Sequence, residues 1–325
     1  MDLPGARFYS NGETENMKLA LVFPGQGSQA TGMMQGFSET PVVTETFAEA
    51  SGILGQDLWR LVAEGPAEAL NATVNTQPVM LTAAYAVYRA WIAAGGAVPS
   101  VMAGHSLGEY TALVAAGVLS FADALPLVRF RAQAMQEAVP VGTGAMAAIL
   151  GLDDDAVRAA CAEAAQGEVV EPVNFNAPSQ VVIAGHKAAV ERGAAAARAR
   201  GAKRAVMLPV SAPFHSSLLR PAADQLGERM QNVAFSSPHV PVINNVDVAM
   251  VDDPQQIKAA LARQACNPVR WVEIVRAMAS LGVTHVVECG PGKVLSGLIR
   301  RIDNNLQGLA VTDMASLEQT LAALQ

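Results

Sequence analysis

Gly104-His105-Ser106-Leu107-Gly108 sets a serine between two glycines in the order G-x-S-x-G, the signature of a nucleophile elbow. In such an elbow the serine occupies a tight strand-to-helix turn with its hydroxyl exposed, and the glycines relieve crowding against neighbours. The apolar run at Pro99–Ala103 and the helical run to Ala116 supply the strand before it and the helix after it. Leu107 would offer a backbone N–H at the helix N-terminus, where developing negative charge is stabilised. The chemistry this points to is nucleophilic catalysis by the serine hydroxyl, with an ordinary glycine turn as the bland alternative.

A nucleophilic serine needs a base, and five histidines are available: His105, His186, His215, His239 and His285. His105 abuts the serine on a turn where side chains diverge, so it suits support of the elbow. His186 and His285 border a helix and a strand of ordinary pattern, and His239 lies among prolines at a strand start. His215 sits in the irregular stretch Ser211-Ala212-Pro213-Phe214-His215-Ser216-Ser217, and catalytic side chains favour loops carried on a rigid scaffold. It also follows the serine in chain order, as in α/β-hydrolases. No acidic residue stands out as its orienting partner; Asp153, Asp154, Asp155 and Glu171 all lie in what reads as a separate unit.

Two glycine turns are ambiguous. Gly25, Gly27 and Ala30 fit a loose dinucleotide fingerprint, but Glu45 and Glu49 fall in a helical pattern rather than at the end of a second strand. An exposed amide at a strand's carboxyl end also suits an oxyanion hole, which makes Gln26 the second donor beside Leu107. Gly290-Pro291-Gly292-Lys293 reads as a tight turn, with anion binding at the following helix N-terminus the lesser alternative.

The elements around these residues alternate strand, turn and helix from Lys18 to Ala138, the grammar of an α/β domain with a mainly parallel sheet. Between residues 142 and 209 the order becomes β-α-β-β-α-β, the ferredoxin-like unit. The earlier grammar resumes with a strand at Val240–Ile243, helices at Pro254–Ala265 and Trp271–Leu281, a strand at His285–Glu288 and a helix at Val294–Arg301. The expected organisation is an α/β-hydrolase-like core, residues 17–141 and 210–325, interrupted by a ferredoxin-like subdomain at 142–209. Residues 1–16 read as a leader or extension, with Met17 a possible natural start.

Of the 325 residues 51% are hydrophobic and 16% charged, which excludes a disordered chain. A net charge of −7 argues against nucleic acid as partner. Cys161, Cys266 and Cys289 are odd in number and widely spaced, neither a disulfide framework nor a metal knuckle. Residues 1–16 lack the pattern of a secretory signal. The helical pattern at Pro78–Ala94 carries Tyr85, Tyr88 and Arg89, too polar for a membrane span. A cytoplasmic protein with no membrane attachment is expected.

GQGSQ at Gly25–Gln29, GHSLGEY at Gly104–Tyr110, RFRAQAMQ at Arg129–Gln136, PVNFNAPSQVVIAG at Pro172–Gly185, the loop around His215 and VVECGPGKVL near the end occur together and in order. In this the chain resembles the malonyl-CoA:acyl carrier protein transacylases, from about Lys18 onward. The resemblance implies the same fold and transfer of malonyl from coenzyme A to an acyl carrier protein in fatty-acid synthesis. It implies Ser106 as nucleophile, His215 as base, and Gln26 and Leu107 as oxyanion donors. It further implies that the histidine is oriented by a backbone carbonyl, here that of Gln264, and that Arg131 holds the malonyl carboxylate. Arg131 and Met135 share a helical face, whereas Arg129 points away. Asn174 and Asn176 match polar positions near the site, and Phe214 the position that favours malonyl over methylmalonyl. Malonyl-CoA and the carrier protein are the expected partners of a monomer that uses no cofactor or metal. A cationic patch bordering the cleft is expected for an acidic carrier, with Lys187, Lys293, Arg300 and Arg301 as candidates. A serine thioesterase or esterase and an inactive carrier-binding subunit are the alternatives.

Overall fold

A computed structural model describes residues 17–210 and 212–325; the leader expected at 1–16 lies outside the described residues. β1 (Leu19–Phe23) is followed by α1 (Pro41–Leu54), α2 (Leu58–Glu64), α3 (Ala67–Asn71) and α4 (Thr73–Ala93). Next come β2 (Val101–Gly104), α5 (Leu107–Ala115) and α6 (Phe121–Glu137). The chain then forms β3 (Gly144–Leu150), α7 (Asp154–Ala165), β4 (Val170–Ala177), β5 (Gln180–His186), α8 (Lys187–Ala199) and β6 (Arg204–Met207). It closes with α9 (Arg220–Gln231), β7 (Val242–Ile243), α10 (Pro254–Gln264), α11 (Trp271–Ser280), β8 (His285–Cys289), α12 (Val294–Ile302), β9 (Gln307–Val311) and α13 (Met314–Ala323).

Two sheets result. The first runs β7-β2-β1-β8-β9 with every pair parallel. Its central strand β1 alternates between two cores, because successive side chains of a strand face opposite sides. Leu19, Leu21 and Phe23 join the side that includes α4, α5 and α6, whereas Ala20 and Val22 join the side that includes α11 and α12. Burial on both faces explains why β1 reads as an unbroken apolar run. The second sheet runs β4-β5-β3-β6, all antiparallel, and α7 and α8 complete the β-α-β-β-α-β unit. Ala147, Ile149, Val181 and Ile183 pack under those two helices. Met146, Val182 and Ala184, on the opposite face, join the core of the parallel sheet. The α/β class, the parallel sheet and the ferredoxin-like insertion are therefore as expected.

Three local differences have physical causes. α4 begins at Thr73, five residues before Pro78, because a buried environment carries the helix through the proline. β7 shortens to Val242–Ile243 because Pro241 has no N–H to give; its carbonyl still accepts from Met102 N–H at 2.8 Å. β9 and α13, which cap the sheet edge, follow the polar stretch Asp303–Asn305 and carry no strong period. α6 is capped by Ser120, whose hydroxyl accepts from Asp123 N–H at 3.0 Å.

Candidate active site

β1 and β2 lie side by side in parallel, so their carboxyl ends deliver two loops to one place. Gly25 and Gln26 follow β1, and the elbow follows β2. The approach is close enough to dictate residue type. A Cβ on Gly108 would stand 2.0 Å from the Phe23 carbonyl oxygen, and one on Gly25 would stand 2.5 Å from the His105 carbonyl oxygen. Ser106 itself has φ 52° and ψ −109°, and His215 has φ 66°. Such backbone states cost about 1–3 kcal/mol each and persist where the surroundings over-determine them.

Ser106 Oγ and His215 Nε2 are 2.7 Å apart. The other ring nitrogen, Nδ1, pairs with the Gln264 backbone carbonyl at 2.8 Å. A carbonyl accepts only, so Nδ1 carries the proton and Nε2 presents its lone pair to the serine hydroxyl. Gln26 and Leu107 both line the same cleft, and among the described residues neither backbone N–H has a protein acceptor. The cleft has a volume of about 530 Å³ and lies between the two sheets, with Met146 and Asn174 on one wall and Ser106 on the other.

Arg131 is 2% exposed, yet its guanidinium reaches this cleft. Nη2 donates to Ser106 Oγ at 3.1 Å and to Gln264 Oε1 at 2.9 Å, and Nη1 donates to Gln77 Oε1 at 2.7 Å. A guanidinium can only donate, so the Gln77 oxygen faces it and the Gln77 amide nitrogen must donate onward. It does so to Thr73 Oγ1 at 3.1 Å, and the Thr73 hydroxyl then donates to Gln26 Oε1 at 2.9 Å. The arginine and the loop that carries Gln26 are thus joined by one chain of bonds with a fixed direction.

Residues 20–317 match the acyl transferase domain family. The chain belongs to that family. It is 56% identical, over 94% of its own length and 99% of the relative's, to a malonyl CoA-acyl carrier protein transacylase of Escherichia coli (strain K12). The enzyme of that name from Bacillus subtilis (strain 168) is 43% identical over 95% of this chain and 98% of its own. The acyl-carrier-protein S-malonyltransferase of Burkholderia pseudomallei 1710b has a crystal structure with TM-score 0.93 and 66% identity, covering 94% of this chain and all of that one. A type II PKS acyl-carrier protein in complex with its malonyl-transacylase gives TM-score 0.93 at 53% identity, covering 94% of this chain and 99% of that one.

Within this acyl transferase domain the remaining expected residues fall in two groups. Met135, Asn174 and Phe214 line the cleft beside Ser106. Asn176 does not; it pairs through Oδ1 with His105 Nε2 at 2.8 Å, and His105 stands 5.6 Å, ring to ring, from Trp271. His105 therefore braces the elbow, as its divergent position suggested. Arg129 turns away to the Leu54 carbonyl and Gln56. Lys187, Lys293, Arg300 and Arg301 are exposed, and none of them lines the cleft. The turn at Gly290–Lys293 leads into α12, whose N-terminus is taken by the chain's own carboxylate: Glu288 Oε2 accepts from Ser296 N–H at 2.8 Å. Among the described residues no group of three or more His, Cys, Asp or Glu is placed to hold a metal, and no helix is long and apolar enough to cross a membrane. All three cysteines are buried and free.

Sequence reasoning missed Gln77, Thr73, Asn245 and Glu109. Glu109 Oε2 accepts from Asn245 N–H and Gln264 Nε2, each at 2.9 Å. Burial pushes this carboxyl up to about 7, against the opposing pull of Gln264, Asn245 and the Arg131 charge. The signal that could have found it is its position: an acid three residues past Ser106, in the first turn of an otherwise apolar helix.

Burial first, and then the nearby Arg131 charge, push His215 down to about 3. An unfolded histidine titrates near about 6.5, so between these values the unfolded chain binds a proton that the native site excludes. Stability is therefore lost as pH falls below that point. Relative to His215→Gln, the native chain is expected to lose up to about 1.4 kcal/mol per pH unit, measured by urea unfolding from pH 7 to pH 5. Parallel pH profiles for the two proteins would contradict this burial of a neutral imidazole.

Proposed function

We propose that this acyl transferase domain moves a malonyl group from coenzyme A to the phosphopantetheine thiol of an acyl carrier protein, through an ester on Ser106. The observation that carries the reading is the meeting of two groups at one serine oxygen. Ser106 Oγ lies 2.7 Å from a neutral imidazole nitrogen and 3.1 Å from a buried guanidinium. A hydrolase acting on uncharged esters has no use for the guanidinium, whereas a malonyl thioester carries a carboxylate that needs one. The names of the relatives support the same substrate and carrier.

The steps follow from the hydrogen-bond directions. His215 Nε2 takes the Ser106 proton as Oγ attacks the thioester carbonyl. The oxygen that gains charge is met by the Gln26 and Leu107 N–H groups, the latter at the N-terminus of α5. The C–S bond breaks, and the coenzyme A thiolate takes the proton back from Nε2. The carrier thiol then gives its proton to Nε2 and attacks the ester; the C–O bond breaks, and Ser106 Oγ takes that proton from Nε2. Met135 and Phe214 bound the acyl group, and the bulk of Phe214 would disfavour an α-methyl substituent. Gln264 orients the base through its carbonyl alone. The protein acts as a cytoplasmic monomer without cofactor or metal.

Intact-mass analysis after mixing the protein with malonyl-CoA is expected to show one malonyl adduct per chain, discharged by holo carrier protein as malonyl-carrier. Free malonate as the main product would make the chain a thioesterase, and no adduct at all would leave it a binding subunit.

A further inference from the structure

Asn245 follows the short strand β7, and no part of the reaction described above uses it. We propose that Asn245 is a positioning residue for the nucleophile, its side-chain amide replacing two backbone hydrogen bonds of the sheet and so fixing the two successive peptide groups that lead into Ser106. The inference rests on Ser106 being the nucleophile.

β2 and β7 pair in parallel, Met102 opposite Val242 and Ala103 opposite Ile243. The Met102 N–H donates to the Pro241 carbonyl at 2.8 Å. Parallel rungs are evenly spaced, each residue of one strand bonding the residues before and after its partner. Carried on by that spacing, the ladder would bring the Asn245 N–H to the Gly104 carbonyl and the Asn245 carbonyl to the Ser106 N–H. Both of those partners are indeed bonded to Asn245, but through its side chain. Nδ2 donates to the Gly104 oxygen at 2.7 Å, and Oδ1 accepts from the Ser106 N–H at 2.7 Å. The backbone groups of Asn245 have turned elsewhere. Its N–H donates to Glu109 Oε2 at 2.9 Å, and its carbonyl accepts from Arg270 N–H at 3.2 Å.

An amide side chain is a peptide group carried one carbon further out. It lets β7 part from β2 where the chain must swing into the elbow, without leaving the Gly104 and Ser106 groups unpaired. The far side of Ser106 is held as well, since its carbonyl accepts from Gln264 Nε2 at 2.9 Å and from Glu109 N–H at 3.1 Å. Glu109 Oε2 receives both Asn245 N–H and Gln264 Nε2, so one carboxyl oxygen ties the two braces together. The residue they enclose has φ 52° and ψ −109°, a state that such double bracing can hold. The position calls for one donor and one acceptor at fixed reach. Aspartate lacks the donor, and alanine lacks both.

The test compares Asn245→Ala and the near-isosteric Asn245→Asp with the unaltered chain by rapid-quench malonylation at saturating malonyl-CoA. An uncharged fluorophosphonate, which reports on Ser106 whatever the acyl donor, is used in parallel. Mispositioning of a reacting atom by about 1 Å costs on the order of 100-fold, so N245A is expected to slow Ser106 acylation by about 30- to 100-fold. The burst amplitude is expected to stay near one per chain and KM within about threefold. N245D, which keeps the acceptor but sets an oxygen against the Gly104 carbonyl, is expected to slow both reactions at least about tenfold. A merely structural role would lower the amplitude, the fraction of competent protein, and leave the rate constant alone. Rate constants within threefold of the unaltered chain in both variants, or a loss confined to amplitude, would overturn the proposal. Should the unaltered chain take up no malonyl group, the functional reading falls while the fluorophosphonate rates still decide Asn245.

Discussion

Ser106→Ala is expected to abolish the malonyl adduct and to lower malonyl transfer by a factor of about 10³ to 10⁶, the span seen when a nucleophile is removed and the oxyanion donors remain. His215→Ala should fall in the same range, because Oγ then keeps its proton. The two losses should not add: the double variant is expected to be no worse than S106A, since nucleophile and base act as one unit. Transfer by S106A within tenfold of the unaltered chain, measured with holo carrier protein, would remove Ser106 from the reaction. The geometry makes the size of the effect plausible without a carboxylate behind the histidine. The Gln264 carbonyl fixes the Nδ1 proton, and burial beside Arg131 keeps the ring neutral. A thiolate leaves far more readily than an amide nitrogen, with a thiol pKa near about 8.5, so little imidazolium stabilisation is needed. A neutral acceptor behind the base therefore suits thioester exchange.

How much of this was legible from residues alone depends on distance along the chain. The elbow was readable because nucleophile, flanking glycines, strand and helix sit within a dozen residues, and close packing of α5 on β1 demands glycine at 108. The two sheets were readable because buried parallel strands and the β-α-β-β-α-β order leave distinct periods. The Gln264 carbonyl was not, since a backbone oxygen has no residue type; only resemblance pointed to it. Gln77 and Thr73 were hidden by Pro78, which placed the start of α4 too late and so concealed their shared helical face. Asn245 was hidden because its role is to imitate a strand that has already ended. The cationic patch expected to offset the acidic total of −7 is not formed at the cleft by Lys187, Lys293, Arg300 or Arg301; the arginine that lines it is the buried Arg131.

Arg131→Ala should separate recognition of the carboxylate from the chemistry of the thioester. The guanidinium is buried, its Nη1 bonded to Gln77 and its Nη2 to Gln264 and Ser106 Oγ. Nη2 is anchored to the Gln264 side chain, so the fork stays in place when a malonyl carboxylate replaces the contact to Oγ. Removing one partner of a buried, hydrogen-bonded charge pair costs about 2–5 kcal/mol, so malonyl transfer by R131A is expected to fall by roughly 10² to 10³. Acetyl transfer, which offers no carboxylate, should change by less than about tenfold, the residue of a loosened Gln77–Thr73–Gln26 chain. R131K is expected to recover only part of the malonyl rate, because an ammonium cannot hold Gln77, Gln264 and a carboxylate with one planar fork. The ratio of malonyl to acetyl kcat/KM is the deciding quantity. Equal losses for the two acyl groups would mean that Arg131 serves Ser106 alone, and the selectivity for a carboxylate would have to be sought elsewhere on the cleft wall.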